Sequence, residues 1–218
     1  MKKYKIWLLL FFPLYAVINI GWMASLNPIY NYDDIIYDPA LIGTWEIGGW
    51  FMPDTCEVAP YDETGKAYLI TCFNGSDNVG EFEAHLVKVG DYMFLDAFPY
   101  PKYTDEYDMA QDLAVYTHFY ILVDQIEPDI IVRIMDETWL RNWLQENPES
   151  LKHDILYAQD VEPGQRYFSG PLLLTASTED LQAFMVEHID TEGAYSDQIV
   201  CQRVDETSAP VEEEIPPG

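Results

Sequence analysis

The chain has 218 residues, 49% of them hydrophobic and 15% aromatic, which is enough to bury one core and too apolar for a disordered chain. It carries 38 acidic against 11 basic residues, a net charge of −27. Leaving out residues 1–5, with three lysines, and 205–218, with five acids and no base, 33 acids and 8 bases remain, so the body itself is acidic and disfavours nucleic acid and anionic lipid heads as partners.

Lys2, Lys3 and Lys5 lead into a stretch without charge from Ile6 to Tyr32. A basic start followed by an apolar run of this kind is a signal peptide or an uncleaved transmembrane anchor, assigned to residues 1–29, with the lysines left in the cytoplasm. Either form puts the body in the periplasm or another extracytoplasmic space, anchored to the membrane or secreted. The cleavage signal is poorly formed. A cut after Ala24 puts Trp22 at the third-last place, and a cut after Ser25 puts Met23 there. No cysteine follows the run to carry a lipid. A single β domain is expected over 30–204 and a disordered acidic tail, rich in Pro and Glu, over 205–218.

Turn signals divide the body into eight strand candidates: 43–50, 55–60, 66–73, 80–89, 92–99, 118–126, 129–136 and 198–204. Gly90-Asp91 reads as a two-residue turn, Glu127-Pro128 as another hairpin, and Asn74-Gly75 as the start of a loop longer than two residues. Short connections imply an antiparallel up-and-down sheet, either a closed barrel or a bent half-barrel. Two helices come late. Asp136 is a candidate N-cap for a helix with Trp139, Leu140, Trp143 and Leu144 on one face, ended by Asn147-Pro148. Ser177 and Asp180 have capping-box spacing ahead of Leu181, Phe184, Met185 and His188. The paired tryptophans suggest a ligand-stacking platform or, more simply, a stripe packed on the barrel.

Cys56 and Cys72 are each eight residues from Thr64, so they face each other and form a disulfide if the flanking strands make a regular hairpin; a bulge at Gly65 would break that symmetry. Cys201 is left over and reads as a small buried apolar residue.

The stretch Tyr37 to Ile47, "YDPALIGTWEI", starts the folded part: Asp38-Pro39 forms a turn or short helical segment, Leu41-Ile42 packs inward, Gly43 allows close backbone approach and Trp45 points into the barrel. Gly43-x-Trp45 at the head of the first strand resembles the lipocalin and wider calycin pattern, and more loosely exported bacterial proteins that begin their domain with Asp-Pro-Ala-Leu-x-Gly-x-Trp. The resemblance implies an eight-stranded barrel with the indole plugging one end and an arginine packed on it. Arg133 and Arg203 are the candidates for that arginine, although neither sits in a matching motif.

No catalytic constellation is visible, and no cofactor or metal site is expected. His85, His118, His153 and His188 are spread over strand, strand, loop and helix; His85 and His118 could meet on adjoining strands but lack a placed carboxylate. Ser169 and Ser177 have no nucleophile context. Asp105, Glu106, Asp108 and Asp112 read as a solvated acidic loop rather than a calcium loop. Tyr100, Tyr103, Tyr107 and Tyr116, in the long connection 99–117, could gate a cavity or shield the sheet. The reading is a non-enzymatic binding module for a small apolar ligand or an envelope protein partner. The alternative is a structural or assembly factor whose barrel is filled by Phe82, Leu86, Phe94 and Leu122.

Overall fold

The structure is a computed structural model that describes residues 23–48, 53–61, 66–100, 116–155 and 172–204. Two short strands, β1 (Ala24–Ser25) and β2 (Ile35–Ile36), come first. They are followed by β3 (Gly43–Ile47), β4 (Thr55–Pro60), β5 (Tyr68–Asn74), β6 (Asp77–Val89), β7 (Tyr92–Pro99), β8 (Phe119–Gln125) and β9 (Ile130–Ile134). Helix α1 (Glu137–Glu146), β10 (His153–Ile155), β11 (Leu172–Leu174), α2 (Thr178–Glu187) and β12 (Ile199–Arg203) complete the chain.

Strands β3 to β9 pair in sequence and antiparallel, and β12 lies between β9 and β3, which closes an eight-stranded up-and-down barrel. All eight strands expected from the sequence are in it. One loop differs. Asn74 pairs with Asp77, leaving only Gly75-Ser76 in the turn, with Gly75 at φ +56°. The surplus residue, Val79, is taken up by a register shift opposite Cys72 and Phe73, so β6 starts three residues earlier than Gly80.

Both helices start where local chemistry dictates. Asp136 accepts from the Trp139 amide at 2.7 Å, and Ser177 accepts from the Asp180 amide at 3.2 Å, each satisfying an amide that the first turn leaves without a partner. The helices, with residues 23–30, pack on the outer face of β6, β7 and β8. There Leu140, Leu144, Leu181 and Met185 meet Val87, Phe94 and Leu122, all at most 1% exposed. Burying each such side chain contributes about 1.5–3 kcal/mol.

The protein thus has two cores on opposite sides of one wall. Of the four candidates for a filled interior, Phe94 and Leu122 belong to the outer core as cross-strand partners on β7 and β8, whereas Leu86 belongs to the inner one. Their phase could not be read from alternation, because a wall covered on both faces is apolar at every position.

The folded body also starts before residue 30. Met23, Ser25 and Ile29 are buried, at 4%, 0% and 0% exposure. β1 pairs in parallel with β11, which pairs antiparallel with β10 in a small separate sheet. A cut after Ala24 would therefore split a paired strand, and one after Ser25 would remove the whole of it. The apolar run up to Trp22 and the tail 205–218 lie outside the described residues, and among the described residues no helix is long and apolar enough to cross a membrane.

Candidate ligand cavity

One end of the barrel is plugged from its own sequence. Asp38 caps a 3-10 turn over Pro39–Leu41 by accepting from the Ala40 amide at 2.9 Å, which turns Leu41 into the barrel. The Tyr68 hydroxyl accepts from the Asp38 amide at 2.8 Å and fixes the turn to β5; burial of this phenol raises its pKa to about 12. Trp45, 2% exposed, donates its indole N–H to the Leu41 carbonyl at 2.9 Å, so the buried ring keeps no unpaired polar atom. The Arg203 guanidinium lies over this indole, 4.2 Å from the ring centre, and donates to the carbonyls of Ala40 and Ile42 at 2.6 and 2.8 Å.

Gly43 makes that approach sterically accessible. Its φ is +141°, and a Cβ there would sit 2.5 Å from Arg203 Nη1. The other arginine has a different place: Arg133 holds Asp124 in a two-toothed ion pair at 2.8 and 2.7 Å, which lowers the Asp124 pKa.

Beyond the plug the interior opens into a cavity of about 480 Å³. Inward positions alternate along the strands, as in Ile70 and Cys72 on β5, Leu95 and Ala97 on β7, and Ile130 and Val132 on β9. Phe82 lines this space rather than filling it. Cys56 and Cys72, directly paired across β4 and β5, are joined by a disulfide in the wall, with Cα atoms 4.1 Å apart. The free thiol of Cys201 faces the same space and burial pushes its pKa up to about 11, so it stays protonated at neutral pH. Among the described residues no carboxylate, lysine or arginine lines the cavity.

Thr117 and His118 are the polar residues at the cavity rim, whereas Asp96, between the inward Leu95 and Ala97, turns outward. Asp96, 0% exposed, accepts from the Ile29 amide at 2.8 Å and bonds His118 Nδ1 at 2.6 Å. This carboxylate ties residues 23–30 to the barrel and satisfies a buried backbone donor. His85 bonds the Lys66 carbonyl through Nδ1 at 2.9 Å, and Phe98 lies between His85 and His118. Among the described residues no group of three metal-ligating side chains comes together. His153 bonds the Leu151 carbonyl at 2.8 Å.

Trp139 and Trp143 stack on each other at 5.5 Å, and His188 sits edge-on to Trp143 at 4.6 Å and to Phe184 at 4.5 Å. They form the seam between the two helices, a packing role. Burial lowers the His188 pKa. Ser177 serves as the α2 cap. Tyr100 folds away from the mouth, its ring 5.7 Å from that of Tyr61, while Tyr116 is exposed beside the rim residue Thr117. Tyr103, Tyr107, Ser169, the four acids from Asp105 to Asp112 and the hairpin tip at Gly65 lie outside the described residues.

Sequence reading did not find the aliphatic lining. Its signal was present in the alternation of Phe119 and Ile121, but the intervening Tyr120 and the following Leu122 are equally apolar. Comparison with protein-family models, with curated proteins and with solved structures finds no match.

Proposed function

We propose that this protein is a lipocalin-like binding module that holds a small apolar molecule in the barrel. The observation that carries the reading is the cavity: about 480 Å³, within the range of roughly 300–1,000 Å³ usual for small-molecule sites, with a lining almost free of polar groups. Removing apolar ligand surface from water is the driving force, and selectivity follows from a lining that, among the described residues, holds no carboxylate, lysine or arginine to meet an ionised group. An interior of this volume favours a carrier over an assembly factor with a filled barrel.

Two experiments test the reading. Native mass spectrometry of the full chain, released gently from detergent, is expected to show an additional mass that is lost on denaturation. Titration with the neutral fluorophore N-phenyl-1-naphthylamine is expected to saturate at one molecule per chain. Ala97, 1% exposed and on the cavity wall, offers a control, since Ala97→Phe fills the space from the side and should abolish uptake while the barrel still folds. A bare mass together with no saturable uptake by the unaltered protein refutes the carrier reading.

A further inference from the structure

The mouth of the cavity and the exit of the N-terminal segment lie at the same end of the barrel. The mouth is bounded by the end of β3 at Ile47, Pro53 before β4, Val79 after the β5–β6 turn, Pro99 at the end of β7 and Thr117 before β8. Met23 and Ala24 also line the cavity, and Ser25 exchanges backbone hydrogen bonds with His118 beside Thr117, at 2.9 and 2.8 Å. Trp22, within the uncharged stretch from Ile6 to Tyr32, immediately precedes Met23. Consecutive Cα atoms are about 3.8 Å apart, so no linker separates that run from the cavity wall.

Both ends carry acids, Asp54 and Asp77 beside the mouth and Asp91, Glu127 and Asp129 at the closed end, and they differ in an exposed apolar residue at the rim. Val79 is 51% exposed at the mouth, an apolar side chain left in water. The opposite end carries Arg203 and the turns with Asp91, Glu127 and Asp129.

We propose that the mouth faces a lipid bilayer into which the run ahead of Met23 inserts, and that the ligand is an uncharged lipid-phase molecule exchanged between that bilayer and the barrel. The proposal rests on the carrier reading for the ligand and on the chain's own continuity for the orientation. An anchor joined directly to the rim holds the mouth at the headgroup level, so an apolar ligand need not cross water to enter. Attachment comes from the anchor and not from surface charge, because the acidic body, including Asp54 and Asp77 near the mouth, repels anionic lipid heads. Cleavage after Ala24 or Ser25 would remove cavity-lining residues, whereas an uncleaved anchor keeps them.

The test uses the full chain in phosphatidylcholine vesicles. A bimane label is placed in one variant at Tyr116→Cys, beside the mouth, and in another at Asp91→Cys, in an exposed turn at the closed end; the buried, protonated Cys201 should not compete for label under native conditions. Quenching by a lipid spin-labelled on its headgroup is expected to be several-fold stronger at position 116 than at 91. Equal or reversed quenching in protein that floats with the vesicles overturns the orientation, and failure to float with them overturns the anchoring on which it depends. If the quenching pattern is found but N-phenyl-1-naphthylamine is not taken up, the lipid-exchange half fails with the carrier reading while the orientation stands.

Discussion

The contact between Gly43 and Arg203 gives the sharpest test of how the barrel end is built. In Gly43→Ala the new Cβ meets two separate penalties. The backbone at φ +141° lies where L residues are strained, a cost of about 1–3 kcal/mol. The Cβ would also stand 2.5 Å from Arg203 Nη1, so the guanidinium must move and give up its bonds to the Ala40 and Ile42 carbonyls. Those bonds are charge-assisted but partly exposed to water, so together they contribute about 1 kcal/mol. Gly43→Ala should therefore lose about 2–4 kcal/mol, and Arg203→Ala about 1 kcal/mol. The double variant removes the collision and should cost less than the sum by about 1 kcal/mol. Urea unfolding followed by tryptophan emission measures all three. The reasoning is refuted if Gly43→Ala lies within about 0.5 kcal/mol of the parent, or if the double variant equals the sum within that margin.

Joint replacement of Cys56 and Cys72 by alanine removes a link across a sequence separation of 16 and should lower stability by about 3 kcal/mol, read as a fall in urea midpoint. His188 has a folded pKa below its free value, so it contributes stability that is full above about pH 6.5 and is lost as the pH falls through its folded pKa. His188→Gln should flatten that part of the stability profile, and an unchanged profile counts against the aromatic seam as its cause. Asp124, lowered chiefly by its hydrogen bonds from Arg133, contributes stability that is present above about pH 4 and lost as the pH falls through its folded pKa. Because the pair is partly exposed, Asp124→Asn should cost no more than about 1 kcal/mol at pH 7, and a larger loss in thermal melts would show that the pair is more desolvated than its exposure implies.

The barrel was legible in the sequence where turns are short and their residues specific. Gly90-Asp91 joins β6 to β7, and the spacing of Cys56 and Cys72 about Thr64 matches a hairpin register that sets them opposite each other. The caps Asp136 and Ser177 were legible because their chemistry is local. The direction of side chains in β6, β7 and β8 was not, since Phe94 and its neighbour Leu95 are both apolar and only the helices outside decide which faces in. The choice between Arg133 and Arg203 had the same character. Arg203 is placed by its register opposite Trp45, a pairing that exists only once β12 has closed the barrel.

That closure joins strands of unequal support. β6, β7 and β8 are covered inside and outside, whereas β3, β4 and β12 each present a row of exposed residues, such as Thr44, Glu46, Glu57 and Val200, to solvent. Amide exchange should accordingly be slowest in the covered strands and fastest along the β3–β12 seam. Such uneven breathing would let the barrel part sideways at Trp45 and Arg203 without disturbing the helices, while the disulfide keeps β4 and β5 together.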